Sequence, residues 1–183
     1  MEKTDLSKYD NTWYKPGKKV VCILWYIVNV VFFSSHIFPL SGLKVWLLKL
    51  FGAKVGSSVV IKPGVNIKYP WKLVIGDYSW IGEDVWIDNL EQVIIGSNVC
   101  ISQGAMLLCG NHNYKKTTFD LMVNEIILEE GVWICAKSVV CSGVRCKNHA
   151  ILGVGSIANI DLEPYSIYKG NPAKKIRNRV IEE

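Results

Sequence analysis

From Val55 onward an apolar residue stands at every sixth position. The series runs Val55, Ile61, Ile67, then Ile75, Ile81, Ile87, then Ile95, Ile101, Leu107. It resumes at Leu128, Ile134, Val140, Cys146, Leu152 and Ala158, and thirteen of these fifteen residues are Ile, Leu or Val. A period of six is neither the 2.0 of a simple strand nor the 3.6 of a helix. It fits short strands separated by turns, three strands to a coil, with coils stacked on one another.

The residues around the series agree with that reading. Glycine follows the repeated residue at Gly56, Gly76, Gly82, Gly96 and Gly153, where turn dihedrals or close coil stacking favour a missing Cβ. Four positions after it stand small or β-branched residues, among them Val59, Ser79, Ala105, Ser138 and Ser156, suited to a narrow interior. The step lengthens from six to eight between Ile67 and Ile75 and again between Ile87 and Ile95, so both insertions fall at one corner. Coils begin at Val55, Ile75, Ile95, Leu128 and Cys146, about five in all. Such a stack cannot bury its own ends, so caps are expected from residues 1–54 and 161–183 around an array at 55–160. The basic tail after Pro172 has helical potential.

The array breaks once. Residues 108–127 carry no hexad and leave the coil as a loop containing His112; loops of this length in a compact domain are often functional. Ahead of the array, residues 20–38 are strongly apolar and reach the lower end of the roughly 20 residues a membrane span needs. Asn29, Ser34, Ser35 and His36 within them favour a buried or oligomer-facing helix over a span. Peripheral membrane contact through residues 18–38, helped by Lys18 and Lys19, is the alternative.

Charge is uneven: +6 over residues 1–62, −4 over 63–163 and +3 over 164–183. The continuous basic stripe of a nucleic-acid binder is missing. Six cysteines form no CxxC pair, and Cys100, Cys135, Cys141 and Cys146 sit inside the array as small apolar residues. Reduced thiols and a cytoplasmic location, extending to the inner face of the membrane, are expected.

The [LIV]-G-x-x-x-x array, the GNHNY loop at 110–114, VWI at 132–134 and PYSIYKGNPAKKIR at 164–177 closely resemble the hexapeptide-repeat acyltransferases. Within them the chain is most similar to the colanic-acid or exopolysaccharide-type O-acetyltransferases, akin to maltose and galactoside O-acetyltransferases. The resemblance covers nearly the whole chain. It implies a mainly β fold, a left-handed parallel β-helix of triangular section, to which the residues themselves add an N-terminal helical segment, a protruding loop that becomes the active-site loop, and a C-terminal helical tail. It also implies a homotrimer with active sites between subunits, acetyl-CoA as donor, no metal, and a sugar or glycan-precursor hydroxyl as acceptor.

Acetyl transfer from a thioester to a hydroxyl needs a base for the hydroxyl proton and stabilisation of the developing oxyanion. His112 matches the family's catalytic histidine; taken alone, a surface loop residue bonded to backbone is the favoured reading. Asn89 resembles a family asparagine facing the acceptor, against the alternative of a turn-stabilising Asn. Asp88 is a weaker candidate for a sugar hydroxyl. The resemblance places the pantetheine arm along Ala136 and Val154, packs Trp133 beside it, and puts Lys174 and Arg177 on the CoA phosphates. Two departures touch the donor side: Asn159-Ile160-Asp161 stands where many relatives carry Thr-Lys-Asp, and Cys135-Ala136-Lys137 replaces a Gly-Ala-Gly turn. Rival readings are a sugar N-acetyltransferase, a γ-carbonic-anhydrase-like zinc enzyme, which His36, His112 and His149 are poorly placed to serve, and a non-catalytic β-helix.

Overall fold

The computed structural model describes residues 2–182. Each coil contributes three strands of two or three residues. The first holds β1 (Lys54–Val55), β2 (Val60–Ile61) and β3 (Asn66–Ile67). The second holds β4 (Leu73–Ile75), β5 (Trp80–Ile81) and β6 (Trp86–Asp88), and the third β7 (Val93–Ile95), β8 (Cys100–Ile101) and β9 (Met106–Leu108). A hairpin of β10 (Gly110–His112) and β11 (Leu121–Val123) intervenes. The fourth coil is β12 (Ile126–Leu128), β13 (Trp133–Ile134) and β14 (Val139–Val140), and the fifth β15 (Arg145–Cys146), β16 (Ile151–Leu152) and β17 (Ile157–Ala158). First strands pair in parallel with first strands, second with second and third with third, giving three sheets around one axis.

All fifteen hexad residues point into this prism and are buried, from 0 to 9 % exposed. The small residues four positions later fill the interior beside them, and the buried serines among them keep their hydroxyls bonded, Ser79 Oγ to Gly96 O at 2.7 Å for instance. Except after Ile67, Ile87, Leu107 and Ala158, the chain turns its corners through a residue three places after the hexad position, in the left-handed region. Gly64, Gly104, Gly131, Gly143 and Gly155 do so, but so do Ser58, Tyr78, Asp84, Asn98, Lys137 and His149. Gly76, one place after its hexad residue, serves a different need. A Cβ there would stand 2.5 Å from Ser97 N, so the next coil stacks only because it is absent.

The base of the prism is closed by helices whose side chains satisfy the open edges of the first coil. In α1 (Lys19–Val28) Trp25 Nε1 donates to Ile67 O at 2.8 Å, and in the π-helical turn Asn29–Phe33 the Asn29 amide accepts from Ile67 N at 3.2 Å. In α2 (Ser41–Leu50) Ser41 Oγ accepts from Ile61 N at 2.8 Å, and the buried Lys44 ammonium donates to Lys62 O at 2.8 Å. Burial pulls the Lys44 pKa down. These contacts occupy backbone groups that would otherwise present free sheet edges. Among the described residues no helix is long and apolar enough to cross a membrane.

The other end departs from expectation in two ways. A partial sixth coil follows the five: Leu162 bridges to Cys146, and β18 (Ser166–Gly170) pairs with β16. The basic tail is not a helix but β19 (Ala173–Asn178), antiparallel to β18. The last coil leaves the edge of β18 unpaired, and a strand satisfies it, whereas an isolated helix of so few residues is marginal in water.

Five of the six cysteines lie in or beside the prism and all six are free thiols. Burial raises the Cys109 and Cys135 thiols to about 11, and it raises Cys146 further in the same direction. At pH 8 these three are expected to resist iodoacetamide in the folded protein and to react on unfolding, as read by mass spectrometry. The folded pKa lies above the reference of 9.0, so the stability these thiols contribute is whole below pH 9 and falls as pH rises toward 11.

Candidate active site

The hairpin that carries His112 leaves the prism at the corner between the third and first sheets, the corner where the two eight-residue steps also fall. It is a paired ribbon rather than an irregular loop, with His112 opposite Leu121. His112 Nδ1 lies 2.9 Å from Phe119 O. A carbonyl only accepts, so Nδ1 carries the proton and Nε2 is left with a free lone pair. The Phe119 ring stacks on the imidazole at 4.4 Å and 6°, with Phe119 itself held at φ +53. Thr118 Oγ1 and Lys116 Nζ both bind the Asp120 carboxylate, at 2.6 and 2.8 Å, which stiffens the tip beyond the imidazole and lowers the Asp120 pKa.

The N-terminal arm, ahead of α1, is part of this corner. Asp5 N–H donates to Thr117 O at 2.8 Å, Trp71 Nε1 to Pro16 O at 2.6 Å, and Tyr14 Oη to Leu90 O. Burial raises the Tyr14 pKa, so its phenol stays a donor. The Tyr9 ring sits 5.8 Å from the His112 ring. Between arm and prism lies a cavity of about 450 Å³ lined by Tyr9, Asn11, Tyr14, Lys68, Tyr69 and Leu121. No spacing or motif in residues 1–17 announces this contact, because it joins segments a hundred residues apart.

Asn89 corrects the expectation of a substrate-facing amide. It is fully buried, its Oδ1 accepts from Lys68 N and Tyr69 N at 3.1 and 3.0 Å, and its Nδ2 donates to Tyr69 O and Lys72 O. Both donors and both lone pairs are used on the bulged corner one coil below, and nothing remains for a substrate. Asp88 beside it pairs with Lys68 Nζ at 2.8 Å and keeps 15 % of its side chain exposed.

The donor-side candidates gather elsewhere. Trp80, Cys100, Trp133, Ile151, Ile167 and Arg177 follow one another in register along the outer face of the second sheet. A cavity of about 320 Å³ holds Trp133 and Arg177 together, and Trp133 Nε1 donates to Ser102 Oγ at 2.9 Å. Ala136 and the exposed Val154 are stacked at the corner between the second and third sheets, where Gly155 N donates to Ala136 O at 3.0 Å. Lys174, opposite Lys169 in the terminal hairpin, and Arg177 are both exposed, and neither forms an ion pair among the described residues.

No family model matches the chain. It is 35 % identical over 170 residues to the putative colanic acid biosynthesis acetyltransferase WcaF of Escherichia coli K12, covering 93 % of each. The chain belongs to the colanic-acid-type acetyltransferases. Two solved structures share the fold: a hexapeptide-repeat acetyltransferase of Vibrio cholerae complexed with acetyl-CoA, and a galactoside acetyltransferase in complex with CoA. The first is 18 % identical with a TM-score of 0.80 and covers 89 % of each chain. The second is 22 % identical with a TM-score of 0.76, covering 87 % of this chain and 80 % of that one.

In this acetyltransferase the other two histidines serve the scaffold. His36 Nε2 meets Asp84 Oδ1 at 2.9 Å beneath the prism, and His149 turns a corner at φ +58 with its ring 4.8 Å from Tyr165. Of the residues singled out in the sequence, His112 and Asp88 stand at one corner, while Ala136, Val154, Trp133, Lys174 and Arg177 stand on another face and corner. One copy of the acetyltransferase does not bring the two sets together.

Proposed function

We propose that this acetyltransferase moves an acetyl group from acetyl-CoA to a hydroxyl of a sugar or glycan precursor, with His112 as general base. The observation that carries the reading is the His112 tautomer: Nδ1–H is spent on Phe119 O, so Nε2 is left unprotonated as a proton acceptor. The acceptor oxygen attacks the thioester carbon as Nε2 takes its proton. The tetrahedral intermediate collapses with cleavage of the C–S bond, and the proton passes to the departing CoA sulfur. Cys109 takes no covalent part in this scheme, because burial holds it as a thiol with its Sγ directed at Glu91 O.

The acceptor lies in the cavity between arm and prism, with Lys68 as a polar group, its ion-pair partner Asp88 next to the cavity, and the Tyr9 and Tyr69 rings as apolar walls. Asn89 holds that corner without touching substrate. The donor lies along the second sheet, its pantetheine arm past Ala136 and Val154 beside Trp133, and its phosphates near Lys174 and Arg177. The separation of base and donor groups on different corners supports a homotrimer in which one subunit's hairpin meets its neighbour's donor face. The apolar N-terminal segment supports peripheral membrane contact through residues 18–38.

Thiol release across a panel of nucleotide-linked and lipid-linked sugars tests the reading. Acetyl-CoA is expected to raise the melting temperature, and at least one sugar to release CoA thiol; if no sugar does so, the proposal fails. Arg177→Ala is expected to raise KM for acetyl-CoA about tenfold with kcat little changed, the mark of lost phosphate contact.

A further inference from the structure

The structure leaves one large apolar surface without a partner. Along α1 and the π-helical turn the inner positions Trp25, Asn29 and Phe33 are buried on the first coil. The outer positions Val20, Ile23, Leu24, Ile27 and Val31 follow a helical stripe, and each is more than 40 % exposed. Tyr26 and Val30 stand beside the stripe, also exposed. The stretch of chain that carries it is basic. Residues 11–76 contain nine lysines and no Asp or Glu, and Lys15, Lys18 and Lys19 are exposed at the start of the helix.

We infer that this stripe docks on the surface of a bilayer containing anionic phospholipid, with α1 lying in the interface plane. An aliphatic face bordered by lysines matches acyl chains beneath anionic headgroups. A second copy of the chain fits less well, since joining two such faces brings the exposed Lys15, Lys18 and Lys19 of each copy toward those of the other. Continuity with the acetyl-transfer corner gives the orientation a use. A cavity of about 490 Å³ beneath α1 is lined by Tyr26 and Val30 from the stripe side and by Lys68, Tyr69 and Asp88 from the prism. Lys68 and Tyr69 also line the cavity next to the His112 hairpin. Docked on the stripe, the protein presents this path to the lipid, so an acceptor sugar carried on a membrane lipid reaches His112 from the bilayer surface. The inference rests in that last step on the acetyl-transfer reading; the docking itself does not.

Cosedimentation of the full chain with vesicles tests it, using phosphatidylglycerol–phosphatidylethanolamine and pure phosphatidylcholine in about 0.1 M salt, where surface attraction is only partly screened. The wild type is expected to pellet with the anionic vesicles and much less with the neutral ones. The variant Ile23→Glu/Ile27→Glu is expected to bind roughly tenfold or more weakly, with melting temperature and stabilisation by acetyl-CoA unchanged. Lys18→Ser/Lys19→Ser is expected to weaken binding to anionic vesicles alone. Wild-type protein that stays in the supernatant with both vesicles overturns the inference, as does glutamate-variant binding equal to wild type. So does a wild-type oligomer that the glutamate variant loses in light scattering, which marks the stripe as a contact between copies. Absence of stabilisation by acetyl-CoA in the wild type instead sinks the acetyl-transfer reading and leaves the docking result standing.

Discussion

His112→Ala is expected to lower acetyl transfer by about 10²–10⁴-fold, the range associated with loss of a positioned general base. Stabilisation by acetyl-CoA is expected to persist, because the proposed donor groups lie on the second sheet and its corners, away from the hairpin. Two measurements separate the roles: thiol release with an active sugar acceptor, and the acetyl-CoA-dependent shift in melting temperature. Retention of near-wild-type turnover in the variant would falsify the assignment. Phe119 gives a finer check, since its carbonyl holds the Nδ1 proton at 2.9 Å and its ring covers the imidazole. Removing the ring by Phe119→Ala leaves the carbonyl in place, so a smaller fall in kcat is expected than for His112→Ala.

The largest effect on stability is expected from Asn89→Leu, about 3–5 kcal/mol. The replacement leaves Tyr69 N and Lys72 O without a partner at a buried corner, at about 1–3 kcal/mol each, and also takes a second bond from Lys68 N and Tyr69 O, which keep Ile87 O and Lys72 N. Urea denaturation measures it. A variant with unchanged midpoint but a raised KM for the sugar would return Asn89 to the acceptor site. An Asp88→Asn variant behaves oppositely on this account: it is expected to fold normally and to lose acceptor affinity, because its carboxylate meets only Lys68 and stays partly open.

Asn89 and the basic tail mark the limits of reading residues in order. An asparagine at a bulged corner has the same letters whether its amide faces a ligand or the backbone beneath, and only the position of residues 68–72 one coil below decides it. The tail from Ala173 to Asn178 has helical composition, yet an unpaired edge on β18 made a strand the better solution. The left-handed corner residues, three places after most hexad positions, carry no single letter, because Ser58, Tyr78, Asp84, Asn98, Lys137 and His149 share the role with glycine. The sixth coil hid behind a shortened step, four residues from Ala158 to Leu162.

What the sequence determined by itself is the scaffold and its interruption. A buried residue every six positions is a local rule, enforced at each coil by the same narrow interior, so it survives as a visible period from Val55 to Ala158. The excursion that isolates His112 is visible for the same reason, as a place where the rule stops. The tertiary structure alone decided which groups share a site. It brought Tyr9 from the arm to the His112 ring, turned the Asn89 amide inward, and set the donor candidates on a different corner from the base. Such contacts join distant segments through space, and no periodicity along the chain records them.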